Sequence, residues 1–400
     1  ATLIASTTKV ETDLAFVSTQ ALLRPDGLEI LINRDIDNEL STHELRLSSN
    51  GSDRLNWTTG LFYRDFLTHG VTDTLLYFPL TGNVNNNTPD STSTAESWSV
   101  YADASYAITD RLELGVGLRY FEEDRGVLNN VQMLSTSGTF DSLTPRVYLS
   151  YGVTPDVRLY GSVSQGFRSG GFNSFGIIAS GGPATYDPEE LTAMEIGAKM
   201  SLADGRINAE LALYRSNYNE IQSDGFNTEV LSNVTSNIGE AEITGIEWAF
   251  NWQPNESFRV GFNGNIIHAE ITSLEGASGT SHFVGDPLDY VPRDNYSIIA
   301  DYFFDWSPTA AGTLRIAFNE QGIMTRTQRA SMHFPPQQGY SDMLAFLNIR
   351  VGAEWEHWDA SLFFDNLLDE DGHNSPGTMN QAATQPRPRT IGVSMGYSFD

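Results

Sequence analysis

The links between successive extended segments alternate strictly between short and long, and this pattern constrains the fold more than any other feature of the chain. The segments themselves alternate apolar and polar residues, as in LELGVGLRYF (112–121) and LNIRVGAEW (347–355). Such a period of two predicts β-strands.

The short links read SNGSD, TDR, TPD, ADG, PNES, SPTAAG and EH. The long links lie near residues 18–40, 68–95, 122–141, 168–190, 222–235, 272–295, 321–344 and 367–389. In an up-and-down barrel alternate links lie at opposite ends, which predicts one end with tight turns and one with large loops.

We predict about sixteen strands of about ten residues each, which is the length that a tilted strand needs to cross a bilayer. The final strand, in TIGVSMGYSFD, sets Ile391, Val393 and Met395 on an apolar face against glycine and serine on the other. The sequence therefore predicts an all-β fold, a transmembrane antiparallel up-and-down β-barrel, with residues 1–400 in one barrel domain. The predicted strands begin near residues 2, 41, 54, 96, 112, 142, 157, 191, 206, 236, 258, 296, 312, 345, 358 and 390.

Aromatic residues mark the end that carries the short turns. Amphipathic rings suit a membrane–water interface, so we interpret these residues as an aromatic girdle. The alternative is that bulky rings simply plug the end of a soluble barrel. The residues are Trp57, Tyr106, Tyr151, Trp252, Trp306, Trp355 and Trp358.

The composition excludes several classes of protein. The chain has no cysteine, which removes disulfide scaffolds, cysteine-ligated zinc and thiol catalysis. Its net charge of −28 makes nucleic acid an unsuitable partner, because phosphates need Lys and Arg to offset them. No stretch approaches the roughly 18 apolar residues of a membrane helix. A β-propeller would repeat one motif in each blade and a soluble sandwich would need shorter loops, and the sequence fits neither.

Several segments then resemble those of TonB-dependent outer-membrane receptors, in order and over nearly the whole chain. Residues 142–173 resemble the mid-barrel region of that family and read SLTPRVYLSYGVTPDVRLYGSVSQGFRSGGFN. An earlier strand pair is similar to STHELRLSSN (41–50) and LNWTTGLFYRDF (55–66). Later strands resemble TAMEIGAKMSLADGRINAELALYRSNYNEIQ (192–222) and NIGEAEITGIEWAFNWQP (237–254). Residues 347–371 and 387–399 resemble the two segments that end the barrel in that family, and they read LNIRVGAEWEHWDASLFFDNLLDED and RPRTIGVSMGYSF.

The resemblance implies active transport of a scarce ligand across the outer membrane of a Gram-negative bacterium. The ligand would be a ferric siderophore, with haem, cobalamin or a carbohydrate as alternatives. Loops would capture it, a plug domain would close the lumen, and TonB would displace the plug. The sequence contains neither the plug nor the TonB-contacting box of the family, and large members have about 22 strands. We therefore expect a C-terminal fragment that lacks the plug and about the first six strands. Outer-membrane lipid and lipopolysaccharide are further expected partners, and no cofactor is expected.

A passive porin is the main alternative function, because about sixteen strands suffice for an aqueous channel. An outer-membrane barrel enzyme is the second alternative, and it would need a nucleophile–base pair such as Ser273 and His268. No other catalytic arrangement stands out, and the seven histidines form no metal-binding pair of known spacing.

The most distinctive loop entry is GFRSGGFNSFG (166–176). As a phosphate cradle it fails, because no helical pattern follows it. Its glycines would let the strand end bend. The functional interpretation is that the other side chains line the vestibule on the loop side, with the arginine as a donor to an anionic ligand. These candidates are Phe167, Arg168, Phe172, Asn173 and Phe175.

The long loops supply the remaining ligand-binding candidates. Aromatic rings combined with His, Asn and Gln are suited to holding a chelate or a sugar. The candidates are His282, His333, Phe334, Tyr340 and His373. The acidic run of Asp365, Asp369, Glu370 and Asp371 has oxygen ligands for Ca²⁺, but it lacks EF-hand spacing and is better explained as a solvated charged segment.

Overall fold

The computed structural model describes residues 2–21, 29–51, 54–78, 83–227, 232–274, 282–328, 337–376 and 384–399. Nearly all of the regular structure is β-strand. The elements in chain order are β1 (Thr2–Ala21), β2 (Glu29–Ser48), β3 (Leu55–Phe78), β4 (Asn83–Asn87), β5 (Asp90–Ala107), β6 (Leu112–Asn129), β7 (Leu134–Thr154), β8 (Val157–Arg168), β9 (Gly171–Phe172), α1 (Phe175–Ala179), β10 (Thr185–Tyr186), β11 (Glu189–Leu202), β12 (Ile207–Asn219), β13 (Gln222–Asn227), β14 (Ser232–Asn237), β15 (Gly239–Asn255), β16 (Phe258–Leu274), β17 (Asp294–Ser307), β18 (Ala310–Gln321), β19 (Thr325–Gln328), β20 (Gln337–Tyr340), β21 (Leu344–Trp355), β22 (Trp358–Asp365) and β23 (Thr390–Tyr397).

Within the described ranges, sixteen long strands form one antiparallel sheet, which confirms the predicted fold class. Each strand pairs with the next long strand along the chain, as an up-and-down topology requires. The five-residue β4 adds to the upper part of β3. In the part of the long links that the structure describes there are three two-stranded hairpins, β9–β10, β13–β14 and β19–β20. The order of the long strands is β1-β2-β3-β5-β6-β7-β8-β11-β12-β15-β16-β17-β18-β21-β22-β23.

The two faces of the sheet have opposite chemistry. On β23 the outward residues Ile391, Val393 and Met395 are 62–67 % exposed. The inward face of the same strand carries Gly392 and Gly396, and a Cβ at Gly392 would lie 2.3 Å from the ring of Phe363 on β22. The small residues of the last strand therefore leave room on the inner face for side chains of its neighbour. We call the face opposite the exposed apolar stripe the inner face.

The predicted short turns are confirmed, and they join long strands at one end of the sheet. In the structure they span two to six residues, as between β11 and β12 (203–206) and between β21 and β22 (356–357). At the other end, three of the predicted long links were wrong. Most of residues 18–40, 68–95 and 122–141 continue the strands as tall hairpins, with pairs as far up as Ala21↔Glu29, Val71↔Asp90 and Asn129↔Leu134.

These hairpins continue because backbone pairing does not depend on an apolar face. Above the bilayer both faces of a strand are in water, so polar residues occupy both and the sequence alternation disappears. Polar side chains then link the strands across the ladder, as where Asn38 donates to Thr12 (3.3 Å) and Thr68 donates to Asn38 (2.9 Å). The predicted length of about ten residues counted only the part of each strand that crosses the bilayer.

Aromatic rings lie on the outer face at two levels. Six of the seven residues predicted near the short turns are 36–59 % exposed, in agreement with an outward girdle. A second level, which the sequence analysis missed, includes Trp98 with Tyr120 (ring centroids 5.4 Å apart) and Trp248 with Tyr296 (5.9 Å). On β5 the two levels are eight residues apart, about 27 Å along the strand. With the usual strand tilt of about 35–45°, this spacing corresponds to about 20 Å along the membrane normal, slightly less than the apolar band of about 25 Å.

The helix α1 has five residues, and no helix in the described ranges is long and apolar enough to span a bilayer.

Candidate functional site

The chain between β8 and β11 folds against the inner face of the wall. We call residues 169–188 the inner loop. The pairing of β7 with β8 stops at Arg146↔Ser164, although β7 itself continues upward. At this point the end of β8 and the inner loop cover the inner face of β6 and β7. Phe167 packs on Phe121 (ring centroids 5.0 Å apart) and Phe172 packs on Phe140 (6.1 Å).

Two glycines allow this close packing. A Cβ at Gly170 would lie 2.4 Å from the Phe140 ring and 2.5 Å from the backbone oxygen of Tyr186, and one at Gly171 would lie 2.3 Å from the Tyr186 hydroxyl. Neither glycine has a left-handed φ. The pair is therefore required for close approach rather than for an unusual backbone conformation. Arg125 on β6 also donates a 2.6 Å hydrogen bond to the carbonyl oxygen of Gly170.

Arg168 and Glu189 close the base of the inner loop. Arg168 Nη2 lies 2.7 Å from Glu189 Oε2, and the same carboxylate oxygen accepts from the backbone N–H of Gln222 at 2.7 Å. Arg168 also donates to the carbonyl oxygen of Gln222 (3.1 Å). The Gln222 side chain donates back to the carbonyls of Ser169 and Asp187, at 3.0 and 2.9 Å. Arg168 therefore fixes the loop to β13, while 57 % of its side chain remains exposed.

Asn173 joins the inner loop to the β13–β14 hairpin. Its amide nitrogen donates to the carbonyl oxygen of Thr235, and its amide oxygen accepts from the N–H of Thr235, both at 2.9 Å. The Asn173 side chain thus makes the two backbone hydrogen bonds that a neighbouring strand would make with Thr235, and Asn173 is 6 % exposed. Phe175 begins α1 and is half-buried. Of the five candidates in GFRSGGFNSFG, Phe167 and Phe172 thus lie on the inner face, Arg168 and Asn173 bond to the β13–β14 hairpin, and Phe175 begins α1.

The loop between β16 and β17 carries His282. This side chain is 4 % exposed, and its Nε2 lies 3.8 Å from Asp289 Oδ2. Its Nδ1 is buried without a hydrogen-bond partner among the described residues. The other Asp289 oxygen accepts from the N–H of Thr327 (2.9 Å), which links this loop to β19. Burial raises the pKa of Asp289, against the opposing effects of His282 and of the Thr327 N–H.

The remaining outer-loop candidates have other partners. His373 Nδ1 lies 3.2 Å from Asp342 Oδ2, and its backbone N–H donates to the same oxygen at 2.7 Å. These two bonds lower the pKa of Asp342. Tyr340 on β20 is 57 % exposed and donates to the Gln338 side chain at 2.6 Å. His333 and Phe334 lie outside the described residues.

The acidic run after β22 is used within the protein. Glu370 accepts from the N–H of Gly372 at 3.1 Å, and Asp369 pairs with Arg389 at 2.7 Å. Asn366, which is 5 % exposed, donates to the carbonyl oxygens of Glu370 (2.8 Å) and Arg387 (3.0 Å). Over the described part of the chain, no group of three or more His, Asp or Glu side chains is placed to hold a metal ion.

His268 and Ser273 do not form a nucleophile–base pair. Both lie on β16, five residues apart, and five residues of strand span about 17 Å. The His268 ring is 74 % exposed and its Nε2 lies 3.4 Å from Glu270.

Sequence reasoning missed the charged rows on the inner face. Asp301 on β17 is 2 % exposed and lies between Arg259 (2.7 Å) and Arg315 (2.6 Å) of the adjacent strands. Asp103 on β5 binds Arg146 on β7 at 2.7 Å. Gly117 lies between them on β6, and its lack of a side chain leaves space for this contact. The signal was present in the sequence, because these charges alternate with the exposed apolar residues of the same strands.

A sheet with an apolar outer face, two aromatic levels, tight turns at one end and an inward loop defines a membrane β-barrel whose lumen is partly filled. The family model "TonB dependent receptor-like, beta-barrel" matches residues 6–367. The chain belongs to this family.

Relatives of known name are similar over most of the chain. The metal-pseudopaline receptor CntO of Pseudomonas aeruginosa is 30% identical over 289 residues, which are 71% of this chain and 38% of that protein. The pesticin receptor of Yersinia pestis is 23% identical over 323 residues, 77% of this chain and 44% of that protein. The chain thus spans less than half the length of either relative.

Solved structures show the same fold. The ferric yersiniabactin uptake receptor FyuA from Yersinia pestis has a TM-score of 0.76 at 21% identity, over 100% of this chain and 58% of that chain. The siderophore receptor PiuA from Acinetobacter baumannii has a TM-score of 0.75 at 16% identity, over 98% and 61%.

Proposed function

We propose that this chain forms the wall and outer loops of a receptor that takes up a metal chelate, in the first instance a ferric siderophore, with energy supplied by TonB. The observation that carries the proposal is the family match over residues 6–367, together with the 30% identical relative that is a metal-pseudopaline receptor. The receptor would lie in the outer membrane of a Gram-negative bacterium, among lipid and lipopolysaccharide. Haem, cobalamin and carbohydrate are the alternative ligands.

The inner loop supports a gated receptor over a passive porin. It is bonded to the wall through Arg125 and Arg168, and Asn173 bonds it to the β13–β14 hairpin, so it reduces the open lumen. Among the described residues, β1 and β23 are paired on one side only. We assign the plug, the contact with TonB and the remaining strands of a barrel of about 22 to sequence outside these 400 residues, so that residues 1–400 are the partial barrel domain.

Among the candidate residues, we assign ligand contact first to side chains that are open to solvent at the loop end. These are Tyr340, His373 and the half-buried Phe175. Phe167 and Phe172 hold the inner loop on the wall, and Asn173 holds it on the β13–β14 hairpin. Arg168 combines anchoring of the loop base with an exposed guanidinium. His282 organises the β16–β17 loop, and His333 and Phe334 stay predictions.

Uptake of radioactive iron by iron-starved cells tests the proposal. The probes are ferric yersiniabactin, ferric citrate and ferripyoverdine, which are the ligands of structurally similar receptors. We expect the native strain to accumulate iron from at least one probe at low concentration. Deletion of the gene for this protein should abolish that uptake, and deletion of tonB should do the same. Unchanged uptake of every probe in the gene-deletion strain would contradict the proposal.

A further inference from the structure

His373 and Asp342 join two of the outer links. Asp342 lies between β20 and β21, and His373 lies in the link that follows β22. The backbone N–H of His373 donates to Asp342 Oδ2 at 2.7 Å, and the backbone N–H of Asp342 donates to the carbonyl oxygen of His373 at 2.9 Å. Beside them, a Cβ at Gly372 would lie 2.9 Å from Leu344 Cδ2, and Leu344 is 0 % exposed. The backbone at His373 is therefore held in place against the start of β21.

The same carboxylate determines which nitrogen of the His373 ring carries the hydrogen. Nδ1 of the ring lies 3.2 Å from Asp342 Oδ2. The two bonds from His373 lower the pKa of Asp342, so this carboxyl group is ionised at neutral pH and can only accept hydrogen bonds. Nδ1 is then the donor, and in the neutral ring the lone pair lies on Nε2.

Nε2 of His373 is open to solvent at the loop end. The side chain is 52 % exposed, and no described residue lies within hydrogen-bonding distance of Nε2. In contrast, His282 is buried, and His69 has its Nε2 bonded to Asp90 at 3.0 Å. A histidine that binds a metal through one ring nitrogen typically donates from the other to a carboxylate, which orients the ring and makes the ligand more basic. His373 has this arrangement without a metal ligand of its own.

The surface around Asp342 also suits the organic part of a chelate. Tyr340 and Met343 flank Asp342 in the chain, and each is 57 % exposed. A phenol ring and a flexible thioether beside a polar group provide apolar contact for the rings or chains of a chelator.

We propose that His373 Nε2 binds the metal of an incoming chelate, at a coordination position that the chelator leaves open. A site for a free ion needs several protein ligands, and the described ranges hold no group of three or more His, Asp or Glu side chains placed for one. One imidazole is enough to complete the coordination of a metal that a chelator already holds. Asp342 is the positioning residue. The inference rests on the proposed function and narrows it to chelators that do not fully enclose their metal.

Isothermal titration with nickel nitrilotriacetate tests the site, because this chelator leaves part of the nickel coordination sphere open. The native full-length receptor is used without a histidine tag, and we expect saturable binding. His373→Gln should weaken the binding by about tenfold or more, since the ligand itself is lost. Asp342→Asn keeps the shape of the side chain but not its charge, and it should cost about tenfold, as loss of such a partner typically does. His268→Gln is the matched control, because the His268 ring is 74 % exposed, and it should bind as the unmodified protein does.

The tautomer of His373 separates positioning from a merely structural role of Asp342. Nitrogen NMR spectra of receptor labelled at histidine distinguish a ring with its hydrogen on Nδ1 from one with its hydrogen on Nε2. The signal of His373 is the one that is missing in His373→Gln. We expect the Nδ1–H form in the unmodified protein and a shift towards the Nε2–H form in Asp342→Asn.

Two outcomes would overturn the inference. One is equal affinity of His373→Gln and the unmodified protein for nickel nitrilotriacetate, and the other is an equal loss of affinity in His268→Gln and His373→Gln. Unchanged affinity and tautomer in Asp342→Asn would remove the role of Asp342.

Folding and uptake are followed separately from binding. Loss of folding is detected because a folded barrel and an unfolded chain migrate differently on a gel when unheated. Chelate uptake by a receptor that does not bind nickel nitrilotriacetate would remove the site and leave the proposed function standing. Binding that depends on His373, without chelate uptake, would do the reverse.

Discussion

Glycines on the inner face provide the space into which aromatic rings of the adjacent strand fold. A Cβ at Gly60 would lie 2.5 Å from the Tyr101 ring, and one at Gly245 would lie 2.3 Å from the Tyr214 hydroxyl. The rings lie across the strand instead of extending into the lumen. Each ring covers glycine backbone that would otherwise be exposed. The contact between the ring and the glycine backbone also links the two neighbouring strands.

Gly197 gives the sharpest test of this arrangement. A Cβ there would lie 2.6 Å from the Tyr160 ring and 2.7 Å from the backbone oxygen of Leu211, so a rotamer change of Tyr160 alone does not relieve the clash. We expect Gly197→Ala to destabilise the barrel by about 1–3 kcal/mol, as overpacking does. The measurement is urea unfolding of the barrel in lipid vesicles.

Gly166→Ala is the matched control, because a Cβ at Gly166 meets no atom within 4 Å. Its stability should be unchanged within about 0.5 kcal/mol. Equal unfolding midpoints for the two variants would show that the inner-face glycines are not required for packing.

Among the connecting elements, the inner loop depends on one buried carboxylate. The side chain of Glu189 is 10 % exposed and binds both Arg168 and the N–H of Gln222. Removing its charge weakens the link between the loop base and β13, while the strands of the wall keep their own pairing. Glu189→Gln should therefore loosen the inner loop without unfolding the barrel.

Limited proteolysis measures this loosening. Chymotrypsin cleaves after aromatic residues, and Phe172, Phe175 and Tyr186 lie in the inner loop. We expect cleavage there to be several-fold faster in Glu189→Gln than in the unmodified protein. The neighbouring Glu190→Gln, at an exposed position, should be cut at the unmodified rate. If both variants are cut at that rate, Glu189 does not hold the loop.

The β16–β17 loop should respond to pH through Asp289. Burial raises the pKa of Asp289 above its usual 3.8, so the folded loop binds the proton more tightly than the unfolded loop. The charges facing this carboxyl are His282, Arg326 and Asp286. A raised carboxyl pKa contributes stability that is fully present below about pH 4 and is lost as pH rises through the folded value.

Hydrogen exchange of the amides in residues 282–293 measures the effect, after correction for intrinsic rates. Protection in the unmodified protein should fall as pH rises from about 4 through the raised pKa of Asp289. Asp289→Asn keeps an oxygen acceptor for Thr327 and has no titrating group, so its protection should lack this decline. Parallel pH profiles for the two proteins would exclude Asp289 as the cause.

Among the elements, the sequence predicted the strands correctly where they cross the bilayer, because there apolar and polar residues alternate along each strand. Thirteen of the sixteen predicted strand starts lie within three residues of the observed ones, including Leu112, Val157, Phe258 and Trp358. The other three, β2, β5 and β7, begin 6–12 residues earlier than predicted. These segments lie beyond the apolar outer face, where polar side chains on both faces remove the alternation.

The site was predictable only in part. The motif GFRSGGFNSFG marked the inner loop, because closely spaced glycines and aromatics are unusual at a strand end. The partners of that loop, such as Arg125 with Gly170 and Asn173 with Thr235, lie 45 and 62 residues apart in the chain. Such long-range contacts depend on the folding of the inner loop against the wall, which no local pattern encodes.

The whole molecule combines a membrane wall with a lumen that its own chain partly fills. Steady conductance in a planar bilayer distinguishes a gated receptor from an open pore most directly. The protein is purified from native outer membranes at its natural length and incorporated without ligand. We predict that it adds no steady current, because in the proposed receptor a plug closes the lumen until TonB acts. A stable, voltage-independent open-channel current from the native protein would contradict the account and identify the chain as the wall of a passive porin.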